Sequence, residues 1–134
     1  MSGTKAILDS NAIIFASMGI VDAEKLLSGN DRYFASILTF IEVYAYDFTD
    51  SVEKEIIDEI FGSLEIIELN PEIADQAIIY RKNKIRKIKL PDAVVLATAK
   101  IVNADLITDD YDDFQNIDPS VKVVNLDDLR IRNE

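Results

Sequence analysis

Apolar and polar positions along the chain follow two alternating periods: short runs of period two, and longer stretches with apolar residues three and four apart. Lys5-Ala6-Ile7-Leu8-Asp9 reads as a short buried strand ended by Asp9. Ser10 to Ser17 follows as a helix that Ser10 or Asn11 could cap. Val21 to Ser28 is a second short helix, stopped by Gly29-Asn30. Tyr33 to Ser36 is a strand candidate, Leu38 to Tyr46 a largely buried helix, and Ser51 to Phe61 an amphipathic helix stopped by Gly62. Glu65 to Leu69 alternates and is rich in β-formers, giving a third strand. Pro71 opens a helix expected to reach Lys87, and Pro91 opens another expected to reach Asn103, since proline suits a first helical turn. Asp105 to Thr108 and Val121 to Val124 are the last two strands. Asn125 to Arg130 closes as a short helix, with Asn125 or Asp127 capping it.

Strands separated by helices imply right-handed crossovers and a parallel sheet covered on both faces. Ligands of such sheets bind beyond the carboxyl ends of the strands. With 134 residues, and no repeat, linker or low-complexity tract, the chain reads as one α/β domain spanning 1–134.

Composition narrows the chemistry. Cysteine is absent, which excludes disulfides and zinc–thiolate sites. Histidine is absent too, which excludes imidazole acid–base work and imidazole metal ligands. A metal bound here would sit among oxygen ligands, favouring magnesium, manganese or calcium. Met1 to Lys5 does not read as a signal peptide, and no apolar run approaches the roughly 20 residues that span a bilayer, so a soluble cytoplasmic protein is expected. The net charge of -11 argues against a simple nucleic-acid binder but not against one whose carboxylates meet phosphate through cations. It also suits a basic protein partner, or serves solubility alone.

Among 25 acids, the informative ones lie in apolar surroundings, because a buried carboxylate is costly unless paired or metal-bound. Asp9 ends the first strand; it is either a helix cap or a ligand. Glu42 lies within Ile37-Leu38-Thr39-Phe40-Ile41-Glu42-Val43-Tyr44, with Leu38, Ile41 and Ala45 on its helical face, and reads equally as solvated or functional. Asp92 opens a helix with no other charge before Lys100; it either meets the helix dipole or points into the cleft. Asp109 and Asp110, followed by Asp112 and Asp113, come after Leu106-Ile107-Thr108 and form either a polar loop or part of a site. An EF-hand register fails, because Gln115 falls where its glycine belongs and Phe114 where a ligand belongs. All four positions could converge on one sheet edge, and like charges gathered there need cations.

The ordered set Ile7-Leu8-Asp9-Ser10-Asn11, Ser36-Ile37-Leu38-Thr39-Phe40-Ile41-Glu42, Leu90-Pro91-Asp92-Ala93 and Leu106-Ile107-Thr108-Asp109-Asp110 resembles the PIN-domain family, especially VapC toxins of toxin–antitoxin pairs. The resemblance spans nearly the whole chain. It implies a three-layer α/β/α sandwich with a five-stranded parallel sheet and cleavage of single-stranded RNA dependent on Mg2+ or Mn2+. It also implies an antitoxin partner and a homodimer. Carried over by position, Asp9, Glu42 and Asp92 are the acidic triad, Asp110 is the fourth acid, and Asn11 and Thr108 are supporting polar residues. The chain departs from the family at Asp109, where a basic or amide residue is common, which leaves the fourth acid open among Asp109, Asp110 and Asp113. Its charge is also low for a nuclease.

Phosphodiester hydrolysis needs charge neutralised at the attacking and leaving oxygens, which divalent ions on carboxylates can supply. Arg81, Lys82, Lys84, Arg86, Lys87 and Lys89 crowd the approach to Asp92. They are either a solvated helix face or a basic rim, with Arg81, Lys82, Lys84 and Arg86 as RNA-binding candidates. A housekeeping PIN-type nuclease, a non-cutting regulatory PIN module, a DNA nuclease and a metal-dependent phosphatase are the alternatives. For a dimer, Leu26, Leu27, Ile56, Ile57 and Ile60 are candidate contact residues.

Overall fold

Period-two alternation puts Ala6 and Leu8 on one side of β1 (Lys5–Leu8) and Ile7 on the other, and the molecule is built outward from that strand. The computed structural model describes residues 3–129. After β1 come α1 (Ser10–Ser17), α2 (Ala23–Leu26), β2 (Arg32–Ser36), α3 (Ile37–Tyr44), α4 (Ser51–Gly62) and β3 (Glu65–Ile67). Then follow α5 (Pro71–Arg81), α6 (Leu90–Val102), β4 (Asp105–Thr108), α7 (Tyr111–Phe114), β5 (Val123–Asn125) and a 3-10 turn over Leu126–Leu129.

The five strands lie in the order β3-β2-β1-β4-β5, every neighbouring pair parallel. Two apolar layers cover the sheet. Ile7, Phe34 and Leu106 pack with α5 and α6 through Ile73, Ala77, Val94 and Leu96. Ala6, Leu8, Tyr33 and Ile107 pack with α1 and α4 through Ile13, Ile57 and Ile60. This is the three-layer α/β/α arrangement expected. The chain leaves β1 toward β2 and β3, then crosses back to place β4 on β1's other side. The winding therefore reverses between β1 and β4, which is where open parallel sheets bind ligands.

Local chemistry explains several boundaries. Asp22, Ser36, Asp50 and Asn70 each accept a backbone N–H in the first turn of the helix they precede. Asn103, in the left-handed region at φ 59°, ends α6. The cap of α1 is Asp9, as one of its two readings had it, and not Ser10 or Asn11.

Other expectations shift further. The helix opened by Pro71 stops at Arg81, not Lys87. Asn83 Oδ1 there accepts the N–H groups of Ile85 and Arg86, a side-chain turn competing with helix, in a run whose like charges repel. Arg81 to Lys89 is therefore a helix end and an irregular connection, not a solvated helix face. Helix α3 is less buried than expected: only Thr39 and Val43 are buried, while Ile41 is 57% exposed and Glu42 is exposed. The acidic segment after β4 forms the single turn α7, and β5 begins at Val123 instead of Val121. Asn125 accepts the N–H of Asp127 at the closing turn, and Arg130 lies outside the described residues. No helix among the described residues is long and apolar enough to cross a membrane.

Leu26, Ile57 and Ile60 belong to the monomer's core, which removes them as dimer contacts, whereas Ile78, Ile79 and Leu90 are the large apolar residues exposed around α5 and α6. The contrast is measurable. Ile57→Ala should lower unfolding free energy in urea by about 2–5 kcal/mol, through lost burial plus a cavity. Ile79→Asp should change monomer stability by only about 0.5 kcal/mol.

Candidate active site

Strand β1 ends where Asp9 turns the chain into α1, and three hydrogen bonds fix that corner. The Asp9 N–H donates to Ile107 O at 3.0 Å, which continues the β1–β4 ladder by one step. The Ser10 N–H donates to Asp9 Oδ1 at 2.7 Å, and Thr108 Oγ1 donates to Asp9 Oδ2 at 2.8 Å. Thr108 is fully buried as the last residue of β4. Its hydroxyl also accepts the Asp110 N–H at 2.9 Å. One hydroxyl thus joins the ends of two strands and sets both acids at the point where the sheet's winding reverses.

Asp9 is only 8% exposed. Burial pushes its carboxyl up to about 6, against the lowering effect of the Thr108 and Ser10 hydrogen bonds and with further upward pressure from the charges of Asp92 and Asp110. Asp92, half-buried in the first turn of α6, is raised by burial, then by Asp110, Glu42 and Asp113, while Lys89 pulls it down. Asp110 is raised by loss of surrounding water, then by Asp113 and Asp109, with Lys89 again opposing.

These mutual influences show which candidates the fold brings together. Asp9, Asp92 and Asp110 form one electrostatic group, Glu42 acts on it through Asp92, and Asp113 through both Asp92 and Asp110. The charge of Asp110, one of the three candidates for the fourth acid, raises Asp9. Asp109, Asp110, Asp112 and Asp113 also line a polar cleft of about 300 Å3 with Asn125 and Asp127. Glu42 stands on the exposed side of α3, so its apolar sequence neighbours do not enclose it. Asn11 sits half-buried in the first turn of α1. Among the RNA-binding candidates, Arg81 is engaged by the fold: its Nη1 donates to Ile88 O at 2.7 Å. Lys82 and Lys84 are exposed and Arg86 half-buried on the irregular connection.

The donor set fits a hard divalent cation. It is all oxygen, it gathers like charges, and its innermost carboxylate has no cationic partner among the described residues. Ser10 Oγ is buried beside Asp9 with no hydrogen-bond partner among the described residues, a further oxygen whose place at a helix start resembles that of a capping hydroxyl. Among the described residues, no three acids already stand at ligating distance, so the side chains would have to draw inward around an ion.

Comparison with known proteins follows the same outline. The PIN domain family matches residues 6–119. VapBC2 from Rickettsia felis, solved bound to a DNA fragment from its promoter, superposes with a TM-score of 0.76 at 21% identity, covering 91% of this chain and 98% of that one. A toxin–antitoxin complex from Klebsiella pneumoniae reaches 0.70 at 29% identity, covering 87% and 94%. VapBC-1 from nontypeable Haemophilus influenzae reaches 0.72 at 21% identity, covering 92% and 99%. No curated protein matches.

The raised Asp9 carboxyl carries a pH signature. An acid whose folded pKa lies above its unfolded value binds protons better when folded. Its stabilising contribution is fully present below about 3.8 and is lost as pH rises through about 6. With a chelator present, unfolding free energy should therefore fall by about 2 kcal/mol from this group between pH 4 and pH 7. Asp9→Asn should flatten that slope and raise stability at pH 7. An unchanged slope in urea unfolding of the variant would show that Asp9 is not the strained acid.

Proposed function

The chain belongs to the PIN-domain family, and from that premise we propose that it is the toxin of a toxin–antitoxin pair, an endoribonuclease cutting single-stranded RNA with Mg2+ or Mn2+. The observation that carries this reading is the buried Asp9, joined through Thr108 to Asp110 and electrostatically coupled to Asp92, at the reversal point of a parallel sheet. With neither histidine nor cysteine in the chain, hydrolysis falls to carboxylates and what they hold. Asp9, Asp92 and Asp110, with Glu42, would hold the divalent ion, which when bound supplies charge neutralisation at the phosphate and a more acidic water.

The chain's own residues do the positioning. Ser10 N–H and Thr108 Oγ–H each occupy one oxygen of Asp9, so the carboxylate cannot rotate away from the cleft. The Thr108 contact to the Asp110 backbone keeps the loop after β4 in register with it. Helix α6 presents Asp92 from its first turn. Asn11, Asp109 and Asp113 support the cleft, and Lys82, Lys84 and Arg86 contribute positive charge for the RNA backbone.

An antitoxin is the partner this reading calls for, as in the complexes from Rickettsia felis and Klebsiella pneumoniae. A net charge of -11 suits a basic segment. A homodimer is read as the assembly and would draw on the apolar surface of Ile78, Ile79 and Leu90. Sedimentation of the purified chain should show a dimer at micromolar concentration; a monomer would reject this assembly.

The activity itself is tested on a panel of single-stranded RNAs, with single-stranded DNA and a small phosphate ester alongside. The wild type should cut RNA with Mg2+ or Mn2+ and stop in chelator. Asp9→Asn should reduce the rate roughly a thousandfold, a loss of several kcal/mol of transition-state stabilisation. Thr108→Val should cost about 10–100-fold by freeing the carboxylate it orients. Equal cutting by Asp9→Asn would mean contamination and end the nuclease reading. Hydrolysis of the ester alone would put a phosphatase in its place.

A further inference from the structure

Six serine and threonine side chains are buried among the described residues, and four of them are bonded. Ser17 Oγ donates to Ile14 O at 2.6 Å and Thr98 Oγ1 to Val94 O at 2.7 Å, each using the helical turn behind it. Ser36 Oγ accepts the Leu38 N–H, and Thr108 Oγ1 joins Asp9 to Asp110. Ser10 Oγ and Thr39 Oγ1 have no partner among the described residues, although neither oxygen is open to solvent. A hydroxyl withdrawn from water without a hydrogen bond costs free energy, so the pair calls for a physical reason.

Their positions are alike. Ser10 is the first residue of α1 and Thr39 the third of α3, so neither has a full helical turn behind it to supply a carbonyl. Strands β1 and β2 pair in parallel with Ile7 opposite Phe34, so both helices start at the same carboxyl edge of the sheet. Helices α1 and α3 also pack against each other. Capping is already provided by other groups: Asp9 Oδ1 receives the Ser10 N–H and Ser36 Oγ the Leu38 N–H. Ser10 directly follows Asp9, and Thr39 stands three residues before Glu42, on the same side of α3. Each unbonded hydroxyl therefore neighbours one of the candidate ligand acids.

We propose that Ser10 Oγ and Thr39 Oγ1 share one water of the divalent ion's hydration shell and form the uncharged wall of the carboxylate cluster. This rests on the metal-dependent reading of Asp9, Glu42, Asp92 and Asp110. Magnesium keeps several of its waters when a protein binds it. Such a water turns its oxygen to the ion and has two protons to give, which two hydroxyl oxygens can accept. Both acceptors are neutral, so they hold the water without adding negative charge around the buried Asp9.

The test titrates Mn2+ into the full chain by calorimetry and follows urea unfolding in chelator. Ser10→Ala and Thr39→Val should each weaken Mn2+ binding about tenfold, as the loss of an outer-shell partner. Because one water is shared, the double variant should also lose only about tenfold. In chelator, both single variants should unfold at the urea concentration of the wild type or a higher one, since an unbonded buried hydroxyl has been removed. Thr98→Val is the control: it loses a made bond, so it should unfold at lower urea while binding Mn2+ as the wild type does. Unchanged Mn2+ affinity in Ser10→Ala and Thr39→Val, or fully additive losses in the double variant, overturns the assignment and leaves the nuclease reading standing if the wild type cuts RNA. Unfolding of either single variant at lower urea in chelator also overturns it, because that hydroxyl would then serve the fold. The shared tenfold loss in a chain that cuts no RNA keeps the assignment and removes the nuclease reading. A wild type that binds no Mn2+ overturns both.

Discussion

A carboxylate withdrawn from water at the end of the central strand is the constraint around which the site is arranged. Asp9 cannot leave its position, because its own N–H completes the ladder to β4 and both of its oxygens are already bonded. Nor is it comfortable ionised there, with the charges of Asp92 and Asp110 acting on it. Among the described residues no ion pair involves Asp9. An acid held in place with no ion-pair partner among the described residues is costly when ionised, and structural pairing would have used an arginine or lysine.

The distribution of charge outside the cleft follows a division of labour. Many acids serve local structure: Asp22 and Asp50 cap helices, Asp58 receives Tyr44 and Lys54, and Asp118 receives Tyr80 and organises the turn at Ser120. The cations are concentrated instead, six of the fourteen falling between Arg81 and Lys89. That segment leads straight into the helix bearing Asp92, so the chain's most positive stretch adjoins one of its candidate ligands in sequence.

Legibility in the sequence depended on whether a local rule or a tertiary contact decided each feature. Helix α1 was readable to the residue because a strand-ending Asp and an apolar period of helical spacing both mark it. The parallel sheet was readable from alternation of element types. Helix α5 was overrun, since periodicity continues through Lys82 to Lys87 and the terminating event is a side-chain bond from Asn83. The exposure of Ile41 and Glu42 could not be read, because the sequence contains apolar residues on every face of α3 and only packing decides which are covered. Asp9, Asp92 and Asp110 were legible as candidates from strand ends and helix starts. The link of Asp9 to Asp110 through one threonine hydroxyl was not, for it joins positions 99 residues apart.

That separation has a consequence for the order in which the molecule comes into being. Strand β1 is among the first segments synthesised, yet its β4 neighbour lies near the far end of the chain. Closing so long a loop is slow compared with forming helices, and nothing before residue 108 can replace it. A growing chain can already have formed α1, β2, α3 and α4 while Asp9 still faces solvent with neither Thr108 nor Asp110 beside it. Asp9 therefore gains its Thr108 and Asp110 neighbours in one late step, when the final third of the chain closes over the first, and a product truncated before residue 108 would carry Asp9 and Asp92 without them.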